Sequence, residues 1–84
     1  MIYCANNNKL YKQARDVCKD LGLSEAAVSK HLNGERRAAG CYVLARINRP
    51  NMNTIKALRA WLLYSTFKID LDVQDEPEYY EGSD

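Results

Sequence analysis

This 84-residue chain is short of almost everything that catalysis at a metal or a reactive side chain requires. It has one histidine, His31, so no His pair can hold a metal ion or relay a proton. Its three cysteines, Cys4, Cys18 and Cys41, are spaced by 14 and 23 residues. That spacing fits no zinc-ligand pattern, and an odd count argues against a disulfide framework. They read most simply as reduced, small hydrophobic side chains. No Gly-rich phosphate loop, no nucleophile motif and no pair of catalytic carboxylates on a folded element is present, so no enzyme, cofactor or metal is expected. No segment approaches the ~20 apolar residues of a membrane span, and the N-terminal MIYCANNNK lacks the apolar run of a signal peptide. These absences point to a cytoplasmic protein without a membrane role.

A strong net charge is also missing, but the value of +1 conceals a segregation. Residues 1–69 carry all 12 Lys and Arg against Asp16, Asp20, Glu25 and Glu35, a balance of +8. Residues 70–84 carry seven acids and no base, a balance of −7. A basic body of this kind suits a nucleic-acid partner, and the acidic end reads either as an interaction arm or as a solubilising tail.

The centre of the chain is Asp16 to Asn33, DVCKDLGLSEAAVSKHLN. Ala14, Val17, Cys18 and Leu21 repeat on one helical face over residues 12–21, and Gly22 stops that helix in a left-handed turn. Ser24 is an N-cap for a second helix with Ala27, Val28, His31 and Leu32 inward, and Asn33-Gly34 ends it. Two short helices about a glycine turn make a helix-turn-helix, whose second helix lies in a DNA major groove. Its outward residues Glu25, Ala26, Ser29, Lys30 and Asn33 are then candidates for DNA contact. Lys12 and Ser24 are candidates for phosphates, and so are Arg36 and Arg37 in the basic loop ERRAAG that follows. The helix offers few bidentate base readers, which implies modest specificity for a monomer. His31 lies on the inward side and is expected to be a half-buried, hydrogen-bonded imidazole.

The flanks supply a brace. Ile2-Tyr3-Cys4 and Leu10-Tyr11 around Asn6-Asn7-Asn8 read as a hairpin, and CYVLARI (41–47) as its third strand, ended by Arg49-Pro50. Asn53 or Thr54 is expected to cap a last helix over 51–67, with Ile55, Leu58 and Leu62 inward and Lys56 and Arg59 outward. Trp61, Leu62 and Leu63 broaden its apolar surface enough to suggest an interface with a second copy or another protein. Ile69, Leu71 and Val73 alternate with Asp70 and Asp72 as a possible edge strand. Residues 74–84 lack apolar periodicity and read as disordered.

Two family resemblances rest on these residues. DVCKDLGLSEAAVSKHLNG (16–34) resembles the headpiece of lac-repressor-type bacterial regulators. Over Ile2 to Ile47, the order of strand pair, helix, turn, helix, basic loop and closing strand resembles the NUMOD-type DNA-binding repeats that accompany phage and intron homing endonucleases. Gly34 to Tyr42, GERRAAGCY, follows the loop of those repeats, with Glu35 replacing a base and Cys41 replacing a glycine. The resemblance implies duplex DNA binding of low or modest specificity in a phage or mobile-element setting, without nuclease activity. The expectation is therefore an α+β domain over residues 1–73: a helix-turn-helix braced by a small antiparallel β-sheet, with a C-terminal helix and a disordered acidic tail. Its expected function is that of a small DNA-binding regulator or accessory factor. The alternative is a protein-interaction module, a virion component or an inhibitor of a host protein, that keeps the helix-turn-helix shape.

Overall fold

A computed structural model describes residues 1–48, 51–70 and 75–81. The chain runs β1 (Ile2–Cys4), β2 (Lys9–Tyr11), α1 (Ala14–Leu21), α2 (Glu25–Leu32), β3 (Leu44–Arg46), α3 (Met52–Phe67) and β4 (Glu78–Tyr79). It is an α+β fold whose four-stranded sheet has the order β3-β1-β2-β4. The expected hairpin forms: Ile2 pairs with Tyr11, Tyr3 with Leu10 and Cys4 with Lys9, all antiparallel. The expected third strand also forms, antiparallel to β1 on its other side.

Strand alternation sorts the core into two layers. Tyr3, Ala5 and Leu10 pack with Val43, Ile47 and the α3 residues Ile55, Leu62 and Leu63. Ile2, Cys4, Tyr11 and Leu44 pack with Val17 of α1 and Val28 of α2. Successive strand residues point to opposite faces. The sheet is therefore a middle layer, with α3 on one side and the α1–α2 pair on the other. This accounts for β1 being buried at all three positions, which an edge or one-sided strand would not be.

The Asn6-Asn7-Asn8 turn joins these layers. Asn6 accepts from the Val43 N–H at 2.9 Å and donates to the Cys41 carbonyl at 3.1 Å, fixing the approach to β3. Asn7 donates to the Tyr11 hydroxyl at 2.9 Å, and that hydroxyl donates to Asp20 of α1 at 2.6 Å. Asn8 adopts φ 57°, a left-handed conformation that Asn tolerates better than most residues. Its Oδ1 accepts from the buried Tyr3 hydroxyl at 2.7 Å, and its Nδ2 donates to the Glu76 carbonyl at 3.1 Å.

That last contact belongs to the largest departure from expectation. The sequence marks 74–84 as disordered, yet residues 75–81 lie along β2. The Glu78 N–H donates to the Asn8 carbonyl at 2.9 Å and the Tyr80 N–H to the Leu10 carbonyl at 2.8 Å. Pro77 is buried. The Tyr80 ring sits 5.1 Å from the Tyr11 ring. β4 runs parallel to β2, so the sheet is mixed rather than antiparallel. What orders this acidic segment is the unpaired edge of β2, a row of backbone groups that takes any extended partner whatever its hydrophobic pattern. Of the edge strand expected at 69–73, Ile69 and Asp70 are not in a strand, and 71–73 lie outside the described residues.

Smaller differences follow local chemistry. α1 starts at Ala14 rather than Lys12, with Gln13 as N-cap, and ends as expected at Gly22 (φ 68°). α3 is capped by Asn51, whose side chain accepts from the N–H groups of Asn53 and Thr54, rather than by either of those residues. Arg59 does not face outward: its Nε donates to the Ala5 carbonyl at 3.0 Å and ties α3 to the hairpin. Leu62 and Leu63, expected at a partner surface, are core residues only 7% and 4% exposed.

Replacing Asn8 by glycine keeps the left-handed backbone but leaves the buried Tyr3 hydroxyl without its acceptor. Urea unfolding should show a loss of about 1–3 kcal/mol, the usual cost of an unsatisfied buried polar group. The hub also sets an alkaline limit. Burial pushes the Tyr3 hydroxyl up to about 12, and burial together with the Asp20 hydrogen bond raises that of Tyr11. An unfolded tyrosine ionises near its ordinary value of ~10, before the folded one does. These raised values therefore contribute stability below that point, and the contribution falls as pH rises through the folded values. Tyrosinate absorbance should show both residues still protonated where free tyrosine ionises, and stability should decline above it.

Candidate nucleic-acid interface

The second helix is short, and its placement depends on its ends. Ser24 accepts from the Ala27 N–H at 3.1 Å, satisfying one of the amides a helix start leaves open. The Gly22 N–H closes α1 onto Cys18 at 2.9 Å, so only three residues separate the helices. Val28 is fully buried against α1 and the sheet, and Ala27, His31 and Leu32 are half-buried. The opposite stripe of α2 is left in solvent.

All nine sequence-derived candidates lie on the surface. Ser24, Glu25, Ala26, Ser29, Lys30 and Asn33 are exposed on or beside α2, Arg36 and Arg37 are exposed in the loop, and Lys12 is exposed before α1. Ser29 and Lys30 lie three and four residues after Ala26, and Asn33 lies four and three after them, which places the four on a single face. Arg15 on α1 and Arg46 at the end of β3 are further exposed cations that the sequence reading did not include.

His31 holds the loop to this face. The Leu44 backbone N–H donates to its Nε2 at 2.8 Å. An amide N–H can only donate, so Nε2 must be the unprotonated nitrogen and Nδ1 carries the proton. Nδ1 then donates to the Arg36 carbonyl at 2.9 Å. One neutral imidazole thus bridges the second helix, the first residue of β3 and the basic loop. The loop's own backbone adds Gly34 N–H to His31 at 3.1 Å and Glu35 N–H to Lys30 at 2.9 Å. The bonded imidazole expected from sequence is found, but its role in positioning Arg36 was not foreseen. The available signal was a histidine on the inward stripe directly before a basic loop.

Beyond the loop, Ala39 and Tyr42 exchange two backbone hydrogen bonds across Gly40 and Cys41. Gly40 has φ 61°, and a Cβ there would stand 3.0 Å from a Leu23 methyl. The turn therefore uses glycine at its first central position and accepts Cys41 at the second. Cys41 is exposed, unlike Cys4, which is buried in the core, and Cys18, which is half-buried. Burial raises the Cys4 and Cys18 thiols above the ordinary range, which suits packing rather than nucleophilic use. Among the described residues no group of His, Cys, Asp and Glu could hold a metal ion, and no helix is long and apolar enough to cross a membrane.

On the far side of the sheet, α3 presents a different surface. Trp61 is 64% exposed and Tyr64 56%, with the Lys68 ammonium 5.5 Å from the Tyr64 ring centre. Of the three residues expected to form a partner surface, only Trp61 is available to one.

Substituting His31 by alanine should leave the Leu44 N–H without its acceptor inside the core and release the Arg36 backbone. Equilibrium unfolding should record a loss of about 1–3 kcal/mol. Amide exchange should rise at Leu44 with little change in the β1–β2 hairpin.

No family model matches this chain, and neither does any curated protein or solved structure.

Proposed function

We propose that the protein binds duplex DNA, with α1 and α2 acting as a helix-turn-helix and α2 entering the major groove. The observation that carries this reading is the exposed stripe of α2 continuing into a basic loop whose backbone is fixed by His31. Lys12, Ser24, Lys30, Arg36 and Arg37 supply phosphate contacts. Glu25, Ala26, Ser29 and Asn33 face base edges. Ala26 lets the helix approach closely, and Asn33 is the one residue of the set able to make a bidentate contact with adenine. Affinity on this reading comes mainly from phosphates, and sequence preference is modest. The similarity to NUMOD-type repeats suits a regulator or accessory factor of phage or mobile-element origin.

A second reading, a protein-interaction module, draws on the exposed Trp61 and Tyr64 of α3. Aromatic residues are enriched at interfaces, and these two lie outside the packed core. The two readings use opposite faces of the sheet and can be separated by mutation.

Mobility shifts across a salt series test the first. Duplex affinity should fall steeply with salt, with a log–log slope near ~−0.9 per phosphate contacted. Changing Lys30 and Arg36 together to alanine should flatten that slope by about 1.8, two contacts' worth, and weaken binding at every sequence. Absence of duplex binding at low salt refutes the reading. A protein partner retained by the double variant, and lost on Trp61→Ala, would establish the second reading instead.

A further inference from the structure

The acidic segment 75–81 is held in place without the use of its charges. Its anchors are the Glu78 and Tyr80 backbone N–H groups on the Asn8 and Leu10 carbonyls, the Asn8 amide on the Glu76 carbonyl, the buried Pro77, and the Tyr80 ring on Tyr11. Asp75, Glu76, Glu78 and Glu81 are all exposed along it. Those carboxylates are nevertheless set beside cations. Glu78 is the register partner of Lys9 across the β2–β4 pair, and the Lys9 ammonium itself pairs with Asp20 of α1 at 3.6 Å. Glu81 shares a cleft with Lys12 and Gln13 at the start of α1, where Tyr79 and Tyr80 form the other wall. Asp75, Glu76 and Glu78 share a second cleft with Arg59 on the α3 side. The segment thus sets a strip of negative charge along the sheet edge, and its Glu81 lines the same cleft as Lys12 and Asp16.

We propose that residues 75–81 are an autoinhibitory strap, which competes with the DNA backbone for Lys12 and for the edge of the basic body. The inference rests on the duplex-binding reading and adds a regulation to it. The physical basis is that strap and phosphate backbone are both anionic and cannot share one ammonium at close range. Long-range repulsion, acting over a Debye length of ~10 Å at 0.1 M salt, lets Glu81 also oppose a backbone approaching the start of α1. A two-residue strand at a sheet edge opens locally at small cost, so competition for one cation suffices to displace it. The strap lies along β2 and leaves the outer face of α2 in solvent.

Two variants of the full chain separate occlusion from simple charge. Pro77→Gly with Tyr80→Ala removes the two side-chain anchors, leaves only the backbone bonds to hold the segment, and keeps every carboxylate. Glu76→Gln, Glu78→Gln and Glu81→Gln together remove charge and keep the anchors. Competition predicts that the first variant binds duplex DNA roughly tenfold more tightly at low salt, with a log–log slope about 0.9 steeper, as one further phosphate contact gives. Lys12→Ala in that background should restore the original slope. In the unaltered protein, addition of duplex should raise amide exchange at Glu78 and Tyr80. Unchanged affinity in the released variant, or amides that stay protected in the complex, overturns the strap while leaving DNA binding intact. Tighter binding by the charge-neutral variant alone also overturns it, since that effect needs no competition. Failure of every form to bind duplex overturns both this inference and the reading beneath it.

Discussion

The fold depends on three consecutive asparagine side chains doing what backbone alone cannot. A hairpin of two three-residue strands is too small to stand in water, and here it must also meet a crossing strand, a helix and the end of the chain. Asn6 holds the segment entering β3, Asn7 holds the Tyr11 hydroxyl that reaches α1, and Asn8 holds both the buried Tyr3 and the strap. Each amide has a donor and an acceptor to offer, so one turn can satisfy backbone and hydroxyl groups arriving from four directions. Among the described residues no buried side-chain polar atom is left without a partner, and these bonds are part of the reason. Such interlocking raises specificity more than raw stability, because any one missing partner leaves a polar group stranded in the core.

The two-faced sheet follows from chain length. A domain this small buries only ~60–65% of its unfolded surface, so a one-sided sheet would leave too little apolar area covered. Covering both faces puts five of the six strand side chains of the hairpin to use, Tyr3 and Leu10 under α3 and Ile2, Cys4 and Tyr11 under α1 and α2. The cost is that the outermost strands remain thin. β4 is two residues long and rests on β2 alone, so the edge of the sheet is where the structure opens most easily.

Much of this was legible. Ser24, Gly22 and the spacing of Val17, Cys18, Val28 and Leu32 mark both helices because caps and helical period are local properties. The hairpin and third strand were legible from β-branched and aromatic runs on either side of turn residues. What was not legible came from long-range bonding. Asn6-Asn7-Asn8 reads as a turn in sequence, and nothing in it reveals partners as far away as Val43 and Glu76. Glu78 to Tyr80 carries no hydrophobic period, because its strand is set by backbone bonds to β2, with Pro77 and Tyr80 adding packing that no local pattern announces. Leu62 and Leu63 add to the apolar surface of the last helix when it is read by itself; with α3 placed on one face of the sheet both are core residues, and Trp61 and Tyr64 are left in solvent.

The same geometry bears on how the candidate interface works. α2 is eight residues long, and its outer face offers one amide reader, so it cannot draw much discrimination from base edges. Its grip must come from cations whose positions are fixed before contact. Arg36 and Arg37 sit on a loop that would otherwise lose conformational entropy on binding, and His31 removes part of that loss by tying the loop to Leu44 in the sheet. Lys12 stands at the other end of the α1–α2 pair, next to the strap. On the proposed reading the site has a constant element, the basic loop that half-buried His31 ties to β3, and a variable one, the acidic segment on the edge of β2. Control of affinity would then lie at the sheet edge, where the thinnest strand of the fold is found, and not in α2.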